Sequence, residues 1–392
     1  MKLVGHALTF CLISALSHGQ NINWDSLLRS TPALEKVYQD YSKYQLEIIV
    51  DITTEKNGII ARNHQVFQPL PNTYFYPASL VKLPTSIFAC EKVNALKKEN
   101  LTIHTPLRIE ANGPCQKPLD KDNFNENGLP SLCGFIRKAL TVSDNTAYSR
   151  LYEWVGPSYY VKRFKELNMS TAVIRKKFDG CTVEESRCVN AITFYDDKAV
   201  IYKQSSECYN ENYPRPMPEM GIGKKHKEGK KIIATPKDFS NNNCLLMKDV
   251  HELMIALCAP EQSSIKLNLT DEQRQWMQES MRLSPAQLHR IWKEDPRFHA
   301  HYYNFFIYGD KSEIEYPHLE ITNIVGLAYG YTAETAMIKD NQGNTFFISA
   351  KLYTNNSDLA GSGEYPYTGV AMPFMRDLGL AVHQWVVSRP IH

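Results

Sequence analysis

A serine and a lysine three positions apart offer the first chemistry in this sequence. Ser79 and Lys82 lie in the stretch 76–84, YPASLVKLP, where a helix is predicted to begin. A serine hydroxyl is a weak nucleophile at neutral pH and needs a neighbouring base to take its proton. Residues i and i+3 share one helix face, so a neutral amine on Lys82 would reach the Oγ of Ser79. The amide donors of the helix N-terminus would also stabilise an oxyanion formed beside Ser79.

A second polar cluster, Ser143-Asp144-Asn145, lies between two predicted helices. Its short turn could point Ser143 and Asn145 into the same cleft as Ser79. Each motif alone also fits a plain structural role, because Ser, Asp and Asn are common helix caps and most lysines are solvated. The order of the two motifs, within one helical region, is what makes them informative together.

Length and charge exclude several classes of function. The chain has 392 residues and a formal net charge of +2, so no global field favours nucleic acid or an anionic membrane. The one basic run, residues 224–231, is predicted to be an exposed loop tip rather than a nucleic-acid patch. The expected partner is therefore a small-molecule substrate, and the protein is expected to be a monomer.

The first twenty residues have the order of a secretory signal. Met1 and Lys2 precede a mostly apolar stretch, residues 3–16, and small and polar residues follow it. We predict that residues 1–19 are a signal peptide and that the mature protein is secreted or periplasmic. No later segment has about 18 consecutive apolar residues, so stable membrane insertion is not expected.

Eight cysteines follow the signal, an even number in a chain predicted to leave the cytoplasm. Two pairs close short polar loops and are the predicted disulfides, namely Cys115–Cys133 and Cys181–Cys188. Cys90 lies on an apolar helical stripe and is predicted to be a buried thiol. The sequence lacks Cys-x-x-Cys and His-Glu-x-x-His spacings, so no metal site is predicted.

The order of the predicted elements indicates an α+β, three-layer architecture. The strands are predicted at 44–52, 58–67, 319–331, 334–339 and 345–353, and the helices at 24–41, 79–98, 129–140, 146–154, 158–167, 249–258, 270–281 and 369–387. Strands at both ends predict one five-stranded antiparallel sheet with an inserted helical domain. The sheet domain would comprise residues 20–75 and 315–392, and the helical domain residues 76–314, with an irregular excursion near 195–237. Ser79 would lie at the seam of the two domains, where a cleft is expected.

The chain resembles class A β-lactamases and related penicillin-binding-type serine hydrolases. Their signatures are Ser-x-x-Lys, Ser-Asp-Asn and Lys-Thr-Gly, in that order. The tetrad Ser79-Leu80-Val81-Lys82 and the triplet Ser143-Asp144-Asn145 match the first two. The segment 269–277 also resembles a helix of that family. The resemblance spans residues 46–385, apart from 194–237.

The third signature departs from the family pattern. The strand reads NIVGLAYG over residues 323–330, so Gly326 matches but Ile324 stands where the family has lysine. In the family that lysine helps to hold the substrate carboxylate and polarises the serine of Ser-Asp-Asn. The resemblance therefore implies weaker recognition of an anionic β-lactam, unless Lys311 or Lys351 replaces the missing cation.

The sequence also departs from the family pattern at the carboxylate that activates water for deacylation. Class A enzymes use a loop glutamate with an asparagine four residues later, and Glu166 does not have that spacing. Asp179 lies at about the right place and is the first candidate, followed by Glu184 and Glu185. The alternative is that all three are solvated loop carboxylates.

The resemblance implies roles for the remaining site residues. Lys82 would accept the proton of Ser79, Ser143 would protonate the leaving nitrogen, and Asn145 would contact substrate and Lys82. The backbone amides of Ser79 and Leu327 would form the oxyanion hole, with no metal or organic cofactor. The pKa of Lys82 is expected to be lowered by burial and by neighbouring positive charge.

The leading function is thus an exported β-lactamase-like serine hydrolase, of the kind that confers antibiotic resistance. One alternative keeps the acylated serine but changes the substrate, giving a D-alanyl-D-alanine peptidase or an esterase. Another is a penicillin-binding or sensing protein that does not hydrolyse its ligand.

Overall fold

The computed structural model describes residues 21–389 with several gaps. The gaps are 57–58, 71–72, 112–114, 116, 198, 211–212, 214–215, 289–293, 295–297, 300 and 312–315. The predicted signal peptide, residues 1–19, lies outside the described residues.

The five predicted strands and the main predicted helices occur in the predicted order, and the structure adds short strands between residues 107 and 238 and at 359–360. The strands are β1 (Glu47–Lys56), β2 (Ile59–Phe67), β3 (Leu107–Ile109), β4 (Cys188–Val189), β5 (Ile192–Asp196), β6 (Ala199–Gln204), β7 (Glu207–Cys208), β8 (Gly221–Ile222), β9 (Lys225–Glu228), β10 (Lys231–Ile233), β11 (Lys237–Asp238), β12 (Leu319–Ala328), β13 (Tyr331–Asp340), β14 (Thr345–Tyr353) and β15 (Leu359–Ala360). The helices are α1 (Trp24–Leu28), α2 (Pro32–Gln39), α3 (Lys82–Leu96), α4 (Leu132–Thr141), α5 (Asn145–Val155), α6 (Pro157–Glu166), α7 (Val183–Ser186), α8 (Met247–Cys258), α9 (Asp271–Arg282), α10 (Pro285–Leu288), α11 (Phe305–Tyr308) and α12 (Met372–Val387).

The central sheet has five antiparallel strands in the order β12-β13-β14-β1-β2. Its strands come from both ends of the chain, so the predicted α+β architecture is confirmed. Both faces of the sheet are covered. Ile48 and Val50 point into one apolar core, whereas Ile49 points into the other, as the alternation of side chains along a strand requires.

Helices pack on the two faces in different ways. The C-terminal helix α12 covers one face together with α1 and α2, and its buried side chains include Phe374 and Leu378. The other face meets the helical region, in which α3 is almost entirely buried. Helix α3 contacts α4, α5, α6 and α8. It is therefore the central helix of this layer, and it begins three residues after Ser79.

Two predicted helices are wrong in their bounds. The helix predicted at 24–41 is two helices, because the Thr31 side chain caps α2 and Pro32 occupies its first turn. The helix predicted to begin at Ser79 begins at Lys82, after a 3₁₀ turn over Ala78–Val81. The prolines before this turn prevent a regular helical approach.

The basic run of residues 224–231 forms part of a small sheet rather than a loop tip. Strands β9 and β10 pair as a hairpin, and β9 also pairs in parallel with β15. Lys225 and Lys227 are exposed on this hairpin, and Lys224 forms an ion pair of 2.8 Å with Asp358.

Both predicted disulfides are wrong. The structure pairs Cys115 with Cys181 and Cys188 with Cys208, the latter directly opposite each other on β4 and β7. Cys133 is instead a buried thiol whose sulfur lies 3.2 Å from the hydroxyl of Ser131. The prediction from short loops was wrong because the fold brings together cysteines that are 66 and 20 residues apart in sequence. Cys90 is buried and unpaired, as predicted.

Among the helices that the structure describes, none has the length and apolar character needed to cross a membrane.

Candidate active site

Ser79 lies on the 3₁₀ turn that precedes α3. In a 3₁₀ turn the side chains of residues i and i+3 lie one above the other, which places Ser79 directly beside Lys82. The Nζ of Lys82 is 2.9 Å from the Oγ of Ser79. Ala78 adopts a left-handed backbone with φ +45°, a strained conformation for a residue with a Cβ. The fold thus imposes a costly turn at the proposed nucleophile.

Lys82 is fully buried and surrounded by hydrogen-bond acceptors. Its Nζ lies 2.9 Å from the Oγ of Ser143, 2.9 Å from the Oδ1 of Asn145 and 2.5 Å from the backbone oxygen of Ser143. Burial lowers the pKa of Lys82 to about 7, and the nearby Asp144 and Asp179 carboxylates oppose this shift. Burial is thus the cause of the lowered pKa, and the prediction that neighbouring positive charge contributes is wrong, because the charges that act on Lys82 are carboxylates. An amine with this pKa is neutral for much of the time near pH 7 and can act as a base.

The turn between α4 and α5 brings Ser143 and Asn145 to Lys82. Asp144 caps α5 by accepting a hydrogen bond of 2.7 Å from the backbone amide of Ala147. Ser143 adopts φ +55°, and its Oγ donates a 2.7 Å hydrogen bond to the Oγ of Ser79. The two motifs identified in the sequence therefore form one hydrogen-bonded network.

The edge strand β12 passes close to the 3₁₀ turn at Gly326. A Cβ on Gly326 would lie 2.6 Å from the backbone oxygen of Pro77, so this position excludes every other residue without a backbone shift. Leu327 follows and is 41% exposed. Because β12 is at the edge of the sheet, alternate backbone amides along it point away from β13. An amide of Leu327 facing Ser79 would complete an oxyanion hole.

The position of the missing family lysine is apolar. Ile324 is only 5% exposed and lines a small pocket together with Ser143 and Val325. Arg282, at the end of α9, lines the same pocket and forms a 3.1 Å ion pair with Glu320.

Lys351 is held away from this pocket. It is buried, with an ion pair of 3.5 Å to Glu47 and a 3.1 Å hydrogen bond to the backbone oxygen of Gln45. The backbone amide of Lys311 donates a 3.0 Å hydrogen bond to the backbone oxygen of Tyr308.

The loop that carries Asp179 is fixed on both sides. Before it, the buried Nζ of Lys177 donates a 3.0 Å hydrogen bond to Glu153. After it, Cys181 is bonded to Cys115. The ring of Phe178 lies 5.6 Å from the Nζ of Lys82. These contacts place the exposed Asp179, with φ +60°, close enough to act on the pKa of Lys82.

The other candidate carboxylates have structural partners. Glu184 pairs with Arg187 at 3.1 Å, and Glu185 closes a capping box with Thr182 at the start of α7. Glu166 lies at the end of α6, 3.2 Å from Arg163. Asp179 thus remains the first candidate.

A buried acidic residue behind the pocket was not predicted from the sequence. Burial raises the pKa of Glu334 to about 8. Its carboxyl group accepts hydrogen bonds from the amide of Phe306 and from the side chain of Asn323, which also donates to the backbone oxygen of Tyr303 at 2.7 Å. The hydroxyl of Tyr303 in turn donates to the backbone oxygen of Val142, one residue before Ser143. No local sequence signal joins these residues, because they meet only across separate elements.

Within the described part of the chain, no group of three or more His, Cys, Asp or Glu side chains is arranged to hold a metal ion.

Comparison with known proteins is consistent with this geometry. The family model of the beta-lactamase enzyme family matches residues 33–386. The sequence matches no curated protein.

Solved structures with the same fold are remote in sequence. The TLA-3 extended-spectrum beta-lactamase has a TM-score of 0.51 at 13% identity, covering 93% of this chain and 99% of its own. A beta-lactamase from Burkholderia vietnamiensis has a TM-score of 0.50 at 12% identity, with 95% and 99% covered. The chromosome-encoded beta-lactamase of Vibrio parahaemolyticus has a TM-score of 0.50 at 10% identity, with 90% and 97% covered. The family model matches most of the chain, and this protein therefore belongs to the beta-lactamase enzyme family.

Proposed function

We propose that this family member is an exported serine hydrolase that cleaves amide bonds, including those of β-lactams, through an acyl-enzyme on Ser79. The observation that carries the proposal is the buried amine of Lys82, which lies 2.9 Å from the hydroxyls of both Ser79 and Ser143. A fully buried lysine with a pKa of about 7 is arranged to take a proton.

Acylation would use five residues. The neutral amine of Lys82 takes the proton of Ser79 as Oγ bonds to the carbonyl carbon of the substrate. The backbone amides of Ser79 and Leu327 stabilise the oxyanion. As the carbon–nitrogen bond breaks, Ser143 gives its proton to the leaving nitrogen, and Lys82 returns a proton to Ser143. Asn145 keeps Lys82 in place and contacts substrate.

Deacylation would require a water molecule beside the ester bond. Asp179 is exposed on its loop and lies within electrostatic reach of Lys82. Its carboxylate accepts a proton from water as the water oxygen bonds to the acyl carbon. The bond between the acyl carbon and the Oγ of Ser79 then breaks, and the proton held by Asp179 is returned to that Oγ. No metal or organic cofactor takes part in this scheme.

Intact-mass spectrometry with a β-lactam tests the reaction. The mature protein should gain the mass of the drug while free drug is consumed, and Ser79→Ala should show neither effect. Ser388→Ala, at an exposed helix end, is the matched control and should behave as the parent. An adduct that persists while drug is not consumed would support a penicillin-binding or sensing role instead.

A panel of substrates separates the remaining alternative. A D-Ala-D-Ala peptide and a simple aryl ester, measured with the same variants, would show Ser79-dependent turnover if the protein is a peptidase or an esterase. Absence of turnover and of adducts with every compound would refute the proposal.

Export is supported by the N-terminal signal pattern and by two disulfides. Expression with the native N-terminus should give a secreted or periplasmic protein cleaved near residue 19. Retention of an uncleaved chain in the cytoplasm would contradict it.

A further inference from the structure

The strand beside the nucleophile is apolar where a cation and a hydroxyl would complete the third signature. Ile324 and Val325 occupy these two positions, and both line the pocket that contains Ser143. In the proposed acylation Ser143 protonates the leaving nitrogen, so the leaving part of the substrate lies on this side. The acyl part must then extend the other way, along Leu327.

Leu327 offers an apolar surface on the acyl side. It is 41% exposed, one of few large apolar side chains in the described residues that are so exposed. Its neighbour Gly326 lies against the turn that carries Ser79. A substrate group that covers this leucine would stabilise the bound state by roughly 25 cal/mol per Å² of apolar surface removed from water.

An aromatic wall lies at the end of the same strand: Tyr76 and Tyr329 are partly exposed, and the buried Phe239 packs against both rings. Their ring centroids lie 5.2 Å apart for Tyr76–Tyr329, 4.9 Å for Phe239–Tyr329 and 5.1 Å for Tyr76–Phe239. The first two contacts are edge-on, the geometry that aromatic pairs prefer. The wall combines three separate parts of the chain: the approach to the nucleophile, the segment after β11 and the β12–β13 turn.

The turn that presents Tyr329 is held by hydrogen bonds from two other segments. Tyr329 and Gly330 have φ values of +53° and +89°, as in the two-residue type I′ hairpin turn. The hydroxyl of Tyr367 accepts a 2.9 Å hydrogen bond from the amide of Gly330, whose backbone oxygen accepts one of 2.8 Å from the amide of Thr354. The wall is therefore preorganised.

The charges near Ser79 do not favour an anion. Asp144 and Asp179 act electrostatically on Lys82, and each would repel a carboxylate. Arg282, on the leaving side, is already paired with Glu320.

We infer that the site takes uncharged, apolar acyl groups, which pack against Leu327 and the aromatic wall. The inference rests on the proposed Ser79 acyl-enzyme and narrows its substrates. A neutral alkanoyl or arylalkanoyl ester or amide fits this surface better than one with an anionic acyl part.

A series of 4-nitrophenyl esters tests the inference with the complete mature protein. From acetate through butanoate to hexanoate, kcat/KM should rise about threefold for each methylene that the wall removes from water. The mono-4-nitrophenyl ester of adipic acid has the same chain length as the hexanoate but ends in a carboxylate. It should react at least about tenfold more slowly than the hexanoate.

Variants assign the effect to the surface. In Leu327→Ser and Tyr329→Ser the ratio of kcat/KM for hexanoate to that for acetate should fall by about tenfold or more. Val200→Ser, an exposed apolar residue on β6, is the matched control and should keep the parent ratio.

The outcomes separate the two proposals. If Ser79-dependent ester hydrolysis occurs but is equal along the series, or faster with the adipate ester, the inference is wrong and the serine hydrolase remains. If the variants keep the parent ratio, the surface does not select the acyl group and the inference is also wrong. If Ser79→Ala hydrolyses every ester as fast as the parent, the proposed function itself fails.

Discussion

The hydroxyl of Ser143 donates a 2.7 Å hydrogen bond to the hydroxyl of Ser79, although 64 residues separate the two in the chain. The same Ser143 hydroxyl lies 2.9 Å from the Nζ of Lys82. Three proton-carrying groups are thus in mutual contact, and a proton can pass among them without movement of heavy atoms. This contact exists because the 3₁₀ turn before α3 meets the turn between α4 and α5.

The pH dependence of Ser79 acylation should follow the titration of Lys82. The base is the neutral amine, whose fraction increases as pH rises through the lowered pKa of about 7. We therefore expect the acylation rate to rise from pH 5 to 8, with a midpoint near 7, and then to level off. Stopped-flow labelling with a β-lactam or an aryl ester measures it.

Two lysine variants test this assignment. Lys82→Arg keeps a cation that cannot release its proton, so acylation should fall by about 10²- to 10⁴-fold. Lys92 is half-buried, with its pKa lowered by burial to about 8, but it donates to the backbone oxygens of Trp154 and Val155. Lys92→Arg should leave the midpoint near 7, and a shifted midpoint would argue against Lys82 as the base.

Ser143→Ala should lower kcat/KM more for amide substrates than for esters. An amide nitrogen must be protonated before it leaves, whereas 4-nitrophenolate leaves without a proton. We expect kcat/KM for a β-lactam to fall by about 100-fold or more and that for a 4-nitrophenyl ester by less than about tenfold. Equal losses on both substrates would assign Ser143 to positioning of Ser79 rather than to proton delivery.

Asp179→Asn should stop the reaction at the acyl-enzyme. The amide cannot accept a proton from water, so acylation proceeds and deacylation slows by about 10²-fold or more. Intact-mass spectrometry would then show a long-lived adduct. Glu184→Gln, in which an exposed partner of Arg187 is altered, is the control and should turn over normally. A normal rate for Asp179→Asn would show that another group activates water.

The disulfide Cys115–Cys181 should stabilise the protein and the loop of Asp179. It joins residues 66 apart, for which loop entropy predicts a contribution of about 4 kcal/mol to the free energy of unfolding. Replacing both cysteines by serine should lower that free energy in urea unfolding and slow deacylation. The matched pair Cys188–Cys208 closes a 20-residue loop and should contribute about 3 kcal/mol. Unchanged deacylation without Cys115–Cys181 would show that the bond does not position Asp179.

Much of the fold could be predicted from the sequence because the signals were local. Central strands such as β14 are apolar on both faces, and their order along the chain allows few sheet topologies. The bounds of α3 could not be predicted in this way. The 3₁₀ turn begins at Ala78, which has a left-handed backbone, and Gly326 of the distant strand β12 packs closely against Pro77 beside it.

The candidate site also contains residues that local motifs predict and residues that they do not. The sequence predicts Ser79, Lys82 and Ser143 as site residues, because each motif is short and continuous. The true disulfide partner of Cys181 and the buried Glu334 were missed, because their contacts join segments far apart in sequence. Such contacts follow from packing and leave no periodic pattern.

Ile324→Lys should restore two effects of the missing cation, namely binding of a substrate carboxylate and a lower pKa of Lys82. Ile324 lines the pocket of Ser143 and is 5% exposed, so a lysine there places an ammonium beside the leaving side of the substrate. It should raise acylation by a carboxylate-bearing β-lactam about tenfold relative to a neutral ester. A second cation near Lys82 also disfavours its protonated form, so the midpoint of the acylation profile should move below pH 7. Ile324→Met has similar length without charge and should change neither quantity. A folded Ile324→Lys variant could instead keep the parent pH midpoint and the parent ratio of β-lactam to ester acylation. That result would show that a charge at this position acts neither on Lys82 nor on the substrate.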